Sequence, residues 1–366
     1  MKLEQLKLSH FRLYTTFDLH CHPHINIIVG DNAQGKTTIL EAIHMLAITK
    51  SHKTPKDTEV IQTNAEFAKI HGLLSFENKP IELDVVLSKH GKKAKYNRIE
   101  AVRLSDYLGS LNIVMFAPED LELVKGSPLE RRRFMDLELG KLKKTYLLHL
   151  NNYRRILKER NEVLKGLQTS QKYNDTLLEI LTEQLIHYGR KIVETRQAFI
   201  EDLNARVKTM YFKISGETLP SVMRYQPSVA KDYQEAYKKK QRLDIQFGTT
   251  HIGPHRDDFA ILIEDLPFKN FASQGQIRTM VLAIKLSMVE RVYQEKKVYP
   301  IVLLDDVFSE LDRNRQLNLL TQLNKATQLF FTTTDVKTIP LEELRSYQII
   351  TISEGTIKGV NSDAKL

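Results

Sequence analysis

The stretch that decides the fold is Gly30-Asp31-Asn32-Ala33-Gln34-Gly35-Lys36-Thr37, which matches the pattern G-x-x-x-x-G-K-[ST]. The apolar run Ile25-Asn26-Ile27-Ile28-Val29 precedes it and is typical of a buried strand. After the stretch, Ile39, Ile43 and Leu46 recur at the spacing of one helical face. A strand, a glycine-rich loop and a helix in this order predict a phosphate-binding loop.

The residue types in this loop suit the phosphates of ATP. Gly30 and Gly35 permit backbone conformations and close approaches that a side chain would block. Backbone N–H groups, and the first helical turn at Thr38, then point toward phosphate oxygens. Lys36 brings a compact positive charge to the β- and γ-phosphates, and the Thr37 hydroxyl is a ligand for Mg²⁺. We therefore expect the residues from Gly30 to Thr38 to bind ATP.

A pair of carboxylates stands near the other end of the sequence. The apolar run Ile301-Val302-Leu303-Leu304 predicts a buried strand, and Asp305-Asp306 follow it directly. Carboxylates at the C-terminal end of such a strand are typical of the Mg²⁺-binding partner of a phosphate loop. We expect Asp305 to hold Mg²⁺ through water, together with Thr37. Asp306 is expected to orient or deprotonate the attacking water, so that Lys36 and Asp306 are the catalytic residues.

The long separation between Lys36 and Asp305 indicates an insertion within one α/β domain. Strand-like patterns fill residues 1–128 and alternate with helices again in residues 243–366, whereas residues 129–242 are helical. We therefore predict an α/β nucleotide-binding head that is built from the two outer segments. The middle segment is predicted to form an inserted arm.

The arm is predicted to be a hairpin of two helices of about 30 residues each, which would span roughly 45 Å. Gly166 and the polar stretch Thr169-Ser170-Gln171-Lys172 separate the two helices. Only Arg160 breaks the apolar series of the first helix, and an ordinary helical subdomain fits the same pattern. The two apolar series are Tyr146, Leu150, Tyr153, Leu157, Leu164 and Leu167, and Leu181, Leu185, Tyr188, Ile192, Phe199 and Leu203.

A capped helix begins at Phe271-Ala272-Ser273-Gln274-Gly275-Gln276. Ser273 with Gln276 three residues later predicts a capping box, and capping alone is one interpretation. Capping does not explain Gly275, which weakens the first turn by up to about 1 kcal/mol relative to alanine. A serine, a close-approach glycine and a helix dipole together suit a γ-phosphate. We expect Ser273, Gly275 and Gln276 to complete the nucleotide site of a second subunit.

Composition and charge limit the kinds of partner and the cellular location that we expect for the chain. The net charge is +9, the pI is about 9.3 and 42% of residues are hydrophobic, so the chain can bury a core and favours an anionic partner. Cys21 is the single cysteine, and no stretch approaches the ~20 apolar residues that cross a bilayer. We expect a cytoplasmic protein without a membrane partner.

Basic clusters and a group of three histidines are two further features of the sequence. Basic clusters occur at Lys89–Lys95, Arg131–Arg133, Lys141–Lys144 and Lys238–Arg242. Each is more often a solvated face than a nucleic-acid contact. No base-reading motif accompanies them, so any such contact is expected to be with the backbone and not with the bases. His20, His22 and His24 share a face on a strand, but Pro23 interrupts them and we do not expect a metal site.

Taken in order, the loop, the capped helix and the paired carboxylates resemble the ATPase heads of the ABC family that includes structural-maintenance-of-chromosomes proteins. Within that family, the chain is similar to the recombination mediators over essentially its whole length. The most specific stretches are Phe116–Leu121, Lys125–Pro128 with Arg131–Phe134, and Thr250-His251-Ile252-Gly253-Pro254-His255-Arg256-Asp257-Asp258.

This resemblance implies an ABC-type head with a helical arm. It further implies a weak, DNA-stimulated ATPase that forms an ATP-dependent homodimer on double-stranded or gapped DNA and acts with RecR and RecO. Arg12 would lie near the nucleotide, and Glu119 would lie where the wider ABC class has glutamine. Gln274 replaces a usual glycine and Asp306 a usual glutamate, and both replacements fit slow hydrolysis.

Other functions remain open on the sequence alone. A P-loop kinase for a small molecule has the same phosphate loop, although a site shared between subunits through Ser273 argues against it. A DNA-binding scaffold that binds ATP without significant hydrolysis, or another ATPase of the same family, has the same motifs.

Overall fold

The computed structural model describes residues 1–169, 175–218, 221–323, 328–344 and 346–364, and their contacts divide the chain into two units. The first unit comprises Met1–Asp120, Thr209–Glu217 and Arg278–Leu366, and the second comprises Leu121–Lys208 and Thr218–Ile277. Each unit therefore draws on segments that are distant in sequence. The domain limits that we predict from sequence texture stay a prediction.

A mixed sheet in the first unit carries the predicted phosphate loop. Its order is β15-β14-β3-β13-β12-β8, and all neighbours are parallel except β14 and β15. The predicted strands before the loop and before Asp305 are confirmed. The strands are β3 (Ile25–Val29), β8 (Ile113–Phe116), β12 (Ile301–Asp305), β13 (Gln328–Thr333), β14 (Ser346–Ser353) and β15 (Thr356–Ala364).

A second, antiparallel sheet of this unit is built from the other N-terminal strands. Its order is β2-β1-β4-β5-β6-β7. Leu3, Leu6 and Leu8 alternate on β1 and are buried, as the sequence pattern predicts. The strands are β1 (Lys2–Phe11), β2 (Tyr14–His20), β4 (Phe67–Phe76), β5 (Lys79–Ser88), β6 (Gly91–Tyr96) and β7 (Ile99–Glu100).

Helix α1 (Lys36–Ile48) begins within the phosphate loop, and Ile39, Ile43 and Leu46 on it are fully buried. The other helices that lie wholly in the first unit are α2 (Leu104–Tyr107) and α10 (Arg313–Leu323). Helix α9 (Gln274–Lys296) follows Ser273, and its apolar positions Ile277, Val281 and Ile284 are buried. Among the described residues, no helix has the length and apolar composition that a bilayer crossing requires.

The second unit is mainly helical and contains a small antiparallel sheet in the order β11-β10-β9. The strands are β9 (Ser221–Gln226), β10 (Asp258–Ile263) and β11 (Leu266–Pro267). The helices are α3 (Glu122–Lys125), α4 (Pro128–Leu142), α5 (Lys144–Thr169), α6 (Asp175–Ser215, which continues into the first unit), α7 (Tyr233–Phe247) and α8 (Phe268–Phe271).

The helical hairpin is confirmed, with one difference in length. Arg160 of α5 bonds Thr182 of α6, and Tyr146 bonds Arg196, so the two helices are antiparallel. Helix α5 has 26 residues, but α6 has 41 and is longer than the predicted 30. It continues beyond Leu203 because Val207, Met210 and Ile214 extend its buried face without an intervening glycine or proline. The predicted connection at Ser170–Lys172 lies outside the described residues.

Arg160, the residue that breaks the apolar series, is the centre of a buried ionic cluster in the second unit. Its side chain is 1% exposed, and Nη1 donates to Asp244 Oδ2 at 2.8 Å and to Thr250 Oγ1 at 2.6 Å. Asp244 is fully buried and also accepts from the backbone N–H of His251 at 3.0 Å. A buried guanidinium is tolerable only with partners of this kind. The cluster thus joins α5 to α7 and to the segment that follows α7.

Removal of the carboxylate of this cluster should destabilise the second unit strongly. We expect Asp244→Ala to lower the free energy of unfolding by about 3–5 kcal/mol, because it leaves the Arg160 charge buried without its counterion. The matched control is Glu159→Ala, which removes the partner of the exposed Arg155 and should cost at most about 1 kcal/mol. Urea unfolding of the three proteins checks this, and equal losses for both variants would contradict a stabilising cluster.

Candidate nucleotide-binding site

The phosphate loop lies between the end of β3 and the start of α1, and its backbone requires its glycines. Gly35 has a φ of 104°, and Ala33 a φ of 63°. A Cβ on Gly35 would lie 2.7 Å from the Tyr14 hydroxyl, and one on Gly30 would lie 2.2 Å from the Ile352 carbonyl oxygen. Alternation of left-handed and right-handed residues turns successive N–H groups to one side, which is the geometry of an anion-binding loop.

Lys36 lies in the concave side of this loop. Its ammonium group donates to the carbonyl oxygens of Gly30, at 2.6 Å, and of Asp31, at 2.7 Å, and the residue is 8% exposed. Burial lowers the pKa of Lys36 below its usual value, although the carboxylates of Asp306, Asp305 and Asp31 act in the opposite direction. A partly desolvated cation that is held by the loop itself is well placed for a polyanionic ligand.

The two ends of the sequence meet at Thr37 and Asp305. The Thr37 hydroxyl donates to Asp305 Oδ1 at 2.8 Å, and Asp305 is 6% exposed. Next to it, Asp306 has a φ of 52°, and its buried Oδ1 atom has no hydrogen-bond partner in the described part of the chain. Hydroxyl and carboxylate oxygens are the ligands that Mg²⁺ prefers. The donor set therefore fits the predicted ion, and the unpartnered oxygen of Asp306 fits a bound water.

A cavity of about 370 Å³ gathers these groups in the first unit. Among the predicted residues, it is lined by Asn32, Ala33, Gly35, Lys36, Thr37, Thr38, Asp305 and Asp306. Gly30 and Asp31 contribute the carbonyls that bind Lys36. Gln34 accepts a hydrogen bond from the backbone N–H of Glu354 and so ties the loop to the turn between β14 and β15.

Several lining residues were not predicted from the residue patterns. They are Leu13, Lys53, Pro118, Thr332 and Thr334. Leu13 is 41% exposed, which leaves an apolar side chain at the edge of the cavity. The signal that could have found Thr332 and Thr334 is their place at the end of a predicted strand, since parallel strands end at one edge of a sheet.

Glu119 also lines the cavity, and its loop is held by a lysine of α9. Lys285 Nζ lies 2.6 Å from Asp120 Oδ1 and donates to the Met115 carbonyl at 2.9 Å. Asp120 in turn accepts from the backbone N–H of Ala117 at 2.8 Å. The position of Glu119 therefore depends on α9, the helix that follows Ser273.

Arg12 makes its principal contacts with α1. Its guanidinium donates to both carboxylate oxygens of Glu41, at 2.7 and 3.1 Å, and to the Glu59 carbonyl at 2.9 Å. Burial raises the pKa of Glu41, but hydrogen bonds from Arg12 and Ser51 outweigh it and the pKa is lowered. Arg12 thus fixes the phosphate-loop helix, and its expected contact with the nucleotide stays a prediction.

The capping box at Ser273 is confirmed. Ser273 Oγ accepts from the backbone N–H of Gln276 at 3.2 Å, and the Gln276 side chain accepts from the backbone N–H of Ser273 at 2.9 Å. Ser273 is exposed, and Lys125 donates to the Gln274 side chain. The start of α9 therefore presents a serine and a helix N-terminus to solvent.

The segment from Thr250 to Asp258 makes structural contacts in the second unit. Burial lowers the pKa of His255 to about 4, so that its ring is neutral between the Tyr153 hydroxyl at 2.7 Å and the Thr250 carbonyl at 3.0 Å. Asp258 accepts two hydrogen bonds from Arg131, at 2.7 and 2.8 Å. Among the described residues, no group of three or more acidic, histidine or cysteine side chains is placed to hold a metal ion.

Comparisons with known proteins cover almost the whole chain. Residues 2–358 match the family model described as RecF/RecN/SMC N terminal domain. The DNA replication and repair protein RecF of Staphylococcus carnosus is 44% identical, and that of Oceanobacillus iheyensis 42%; each match covers 98% of this chain and 100% of the relative. A solved structure of the recombination mediator protein RecF-ATP in the RecFOR pathway has a TM-score of 0.89 at 30% identity, and covers 99% of this chain and 98% of its own.

Substitution of the loop lysine should remove nucleotide binding and leave the fold intact. We expect Lys36→Ala to weaken ATP binding by at least about 100-fold, because two or more charge-assisted hydrogen bonds to the phosphates are lost. Titration calorimetry measures the affinity, and circular dichroism checks the fold. The matched control is Lys53→Ala at the same cavity, which should have a smaller effect. Unchanged ATP affinity of Lys36→Ala would rule out the phosphate-loop assignment.

Proposed function

The chain belongs to the RecF/RecN/SMC family and, within it, to the RecF proteins, which are ATP-binding mediators of DNA replication and recombinational repair; on this premise, we propose that it is an ATP-gated clamp on DNA. In this proposal, ATP binding joins two copies of the chain on double-stranded or gapped DNA. Slow hydrolysis, stimulated by DNA, then separates them.

One observation carries the proposal: one cavity of the chain contains the phosphate-binding cation, the metal ligands and the water-binding carboxylate that ATP hydrolysis requires. Lys36 supplies a cation for the phosphates, Thr37 and Asp305 supply oxygen ligands, and Asp306 supplies a carboxylate for water. In proteins of this kind, a bound Mg²⁺ neutralises charge on the β- and γ-phosphate oxygens. The four side chains of this chain position the triphosphate and the water, which is the principal contribution of a protein to phosphoryl transfer.

Asp306 is the residue that we assign to the water. Its carboxylate lies next to Asp305 in the cavity, and its buried Oδ1 has no hydrogen-bond partner within the described protein. Burial of such an atom is unfavourable unless a ligand or water satisfies it. A carboxylate that is one methylene shorter than glutamate reaches less far, which agrees with slow turnover.

Turnover of ATP distinguishes this function from its rivals. A DNA clamp of this type should hydrolyse ATP at a low rate that rises when duplex DNA is added. A scaffold that only binds ATP would give no turnover in either condition, and a small-molecule kinase would not respond to DNA. A phosphate-release assay with and without a duplex of fixed length is the measurement.

Ser273 is proposed to act on the nucleotide of a partner copy. Ser273 is exposed at the N-terminus of α9, where the helix dipole favours an anion, and Gly275 follows in the first turn. The capping box satisfies the N–H groups of Ser273 and Gln276, so the site is stable before any anion arrives. RecR and RecO are proposed as partners because the solved relative is placed in the RecFOR pathway.

The ion pairs of the basic clusters bear on which surface is available to bind DNA. Arg131 is paired with Asp258, Lys141 with Glu138, and Lys92 with Asp57, so each of these three clusters is neutralised in part, although Lys89, Lys143 and Lys144 are exposed without an ion pair among the described residues. On α7, Lys238 and Arg242 are exposed one helical turn apart on the same face, and neither has an ion pair among the described residues. Lys239 is paired with Glu235, and Lys240 lies on the opposite side of the helix from Lys238. We propose that the face of α7 with Lys238 and Arg242 contacts DNA phosphates.

Charge removal on α7 should weaken DNA binding. We expect the double variant Lys238→Gln with Arg242→Gln to reduce the slope of log affinity against log salt by about 0.9 for each lost phosphate contact. The loss should be the same for duplexes of unrelated sequence. The control is Arg155→Gln with Lys158→Gln on α5, whose charges already have acidic partners. An unchanged slope for the double variant on α7, measured by fluorescence anisotropy, would exclude this face as the contact.

Ser273→Arg should separate ATP binding from assembly. A long cation at this position blocks the approach of a second head, so we expect normal ATP affinity of the monomer but no ATP-dependent dimer and no turnover. In a heterodimer with Lys36→Ala, one site would pair an intact phosphate loop with an intact Ser273, and the other site would carry both substitutions. Part of the turnover should return in a mixture of the two variants if a single intact site suffices to join the two heads. Loss of ATP binding by the Ser273→Arg monomer would instead place Ser273 in the pocket of its own chain.

A further inference from the structure

Thr332 lines the cavity beside Asp305 and Asp306, and the proposed function gives it no role. It belongs to β13, the strand between β3 and β12, and it is 1% exposed. In the parallel register, Thr332 pairs directly with Asp305 of β12, so that both side chains lie on the same face of the sheet. The backbone alone therefore brings its hydroxyl beside the acidic pair.

The hydroxyl of Thr332 contacts both members of that pair. It donates to Asp305 Oδ1 at 2.6 Å, and it accepts from the backbone N–H of Asp306 at 3.0 Å. A hydroxyl has a single proton. The Thr332 hydroxyl donates this proton to the Asp305 carboxylate, and a lone pair on its oxygen accepts the hydrogen bond from the Asp306 amide. Both contacts are short and well inside the range of normal hydrogen bonds.

The contact with Asp306 falls at an unusual point of the backbone. Asp306 has a φ of 52°, in the left-handed region that residues other than glycine seldom adopt. Such a conformation is held only when the surrounding structure determines it. The hydrogen bond from the Asp306 N–H to Thr332 fixes the peptide that precedes this turn, and with it the direction of the Asp306 side chain.

The geometry points to Thr332 as a positioning residue that sets both carboxylates at once: Asp305 toward the metal and Asp306 toward the attacking water. Thr37 donates to the same Oδ1 atom at 2.8 Å, so Asp305 is oriented from two sides, by α1 and by β13. Mutation of groups that orient metal ligands in this manner typically lowers metal affinity or activity by about 10- to 100-fold. This inference rests on the proposed ATPase function.

Thr332→Val is the direct test, because valine keeps the shape of threonine and removes the hydroxyl. ATP affinity is measured by calorimetry in EDTA and in Mg²⁺, and the ratio of the two is compared between proteins. We expect this Mg²⁺-dependent gain in affinity to fall by about 10- to 100-fold in Thr332→Val, with affinity in EDTA unchanged. Turnover should fall by a similar factor.

Two variants serve as controls. Thr332→Ser restores the hydroxyl and should recover most of the Mg²⁺-dependent gain. Thr333→Val makes the same change one residue further along β13, where the hydroxyl bonds the backbone of Asp335, and should keep the gain.

Two results would overturn the inference. In the first, Thr332→Val retains the Mg²⁺-dependent gain. In the second, it loses ATP binding in EDTA as well, which would make Thr332 a residue of the fold and not of the metal site. Absence of a Mg²⁺-dependent gain in affinity in the unaltered protein would instead contradict the proposed function. Measurement of the unaltered protein therefore distinguishes that failure from failure of the inference about Thr332.

Discussion

The nucleotide site depends on the parallel arrangement of β3, β13 and β12, because this arrangement brings Thr37 and Asp305 within hydrogen-bonding distance of each other. Val29 pairs with Thr333, and Thr332 pairs with Asp305, so the C-terminal ends of the three strands meet at one edge of the sheet. Ligands of α/β sheets bind at this edge. Residues from the two ends of the sequence therefore form one site only when the first unit is folded, and the long segment between them can form a separate unit without disturbing it.

The charges in the cavity explain why the site suits a triphosphate. Lys36 faces the carboxylates of Asp305 and Asp306 across a small cavity, and the helix dipole of α1 adds partial positive charge. A nucleotide with its metal provides a counter-charge for each of these groups: anionic oxygens for Lys36 and the loop N–H groups, and a cation for the carboxylates. Binding thus joins the loop and the acidic pair through the ligand, which suits the proposed nucleotide-dependent assembly.

Local patterns were sufficient to predict the parts of the site that have a fixed spacing in the sequence. The phosphate loop, the strand before Asp305 and the capping box of Ser273 each follow from neighbouring residues, and the structure has them at the predicted positions. Arg160 was visible as a break in an apolar series, but its partner Asp244 was not. Lys53 is a side chain that tertiary structure brings to the cavity, and no local pattern marks it. Thr332 stands at the end of a predicted strand, but only the pairing of β13 with β12 reveals its contact with Asp305. Tertiary structure likewise brings Arg12 to Glu41, and no local pattern in the sequence indicates this pair.

We propose that nucleotide state controls assembly on DNA. Asp306→Asn is the suitable protein to test this, because it keeps Thr37 and Asp305 for binding but removes the carboxylate that we assign to the water. Its mass is measured by sedimentation equilibrium on a short duplex, in Mg²⁺ with either ATP or ADP. We expect two chains per duplex with ATP, in a complex that is stable over time, and one chain or none with ADP. The same number of chains with both nucleotides would rule out control of assembly by the nucleotide.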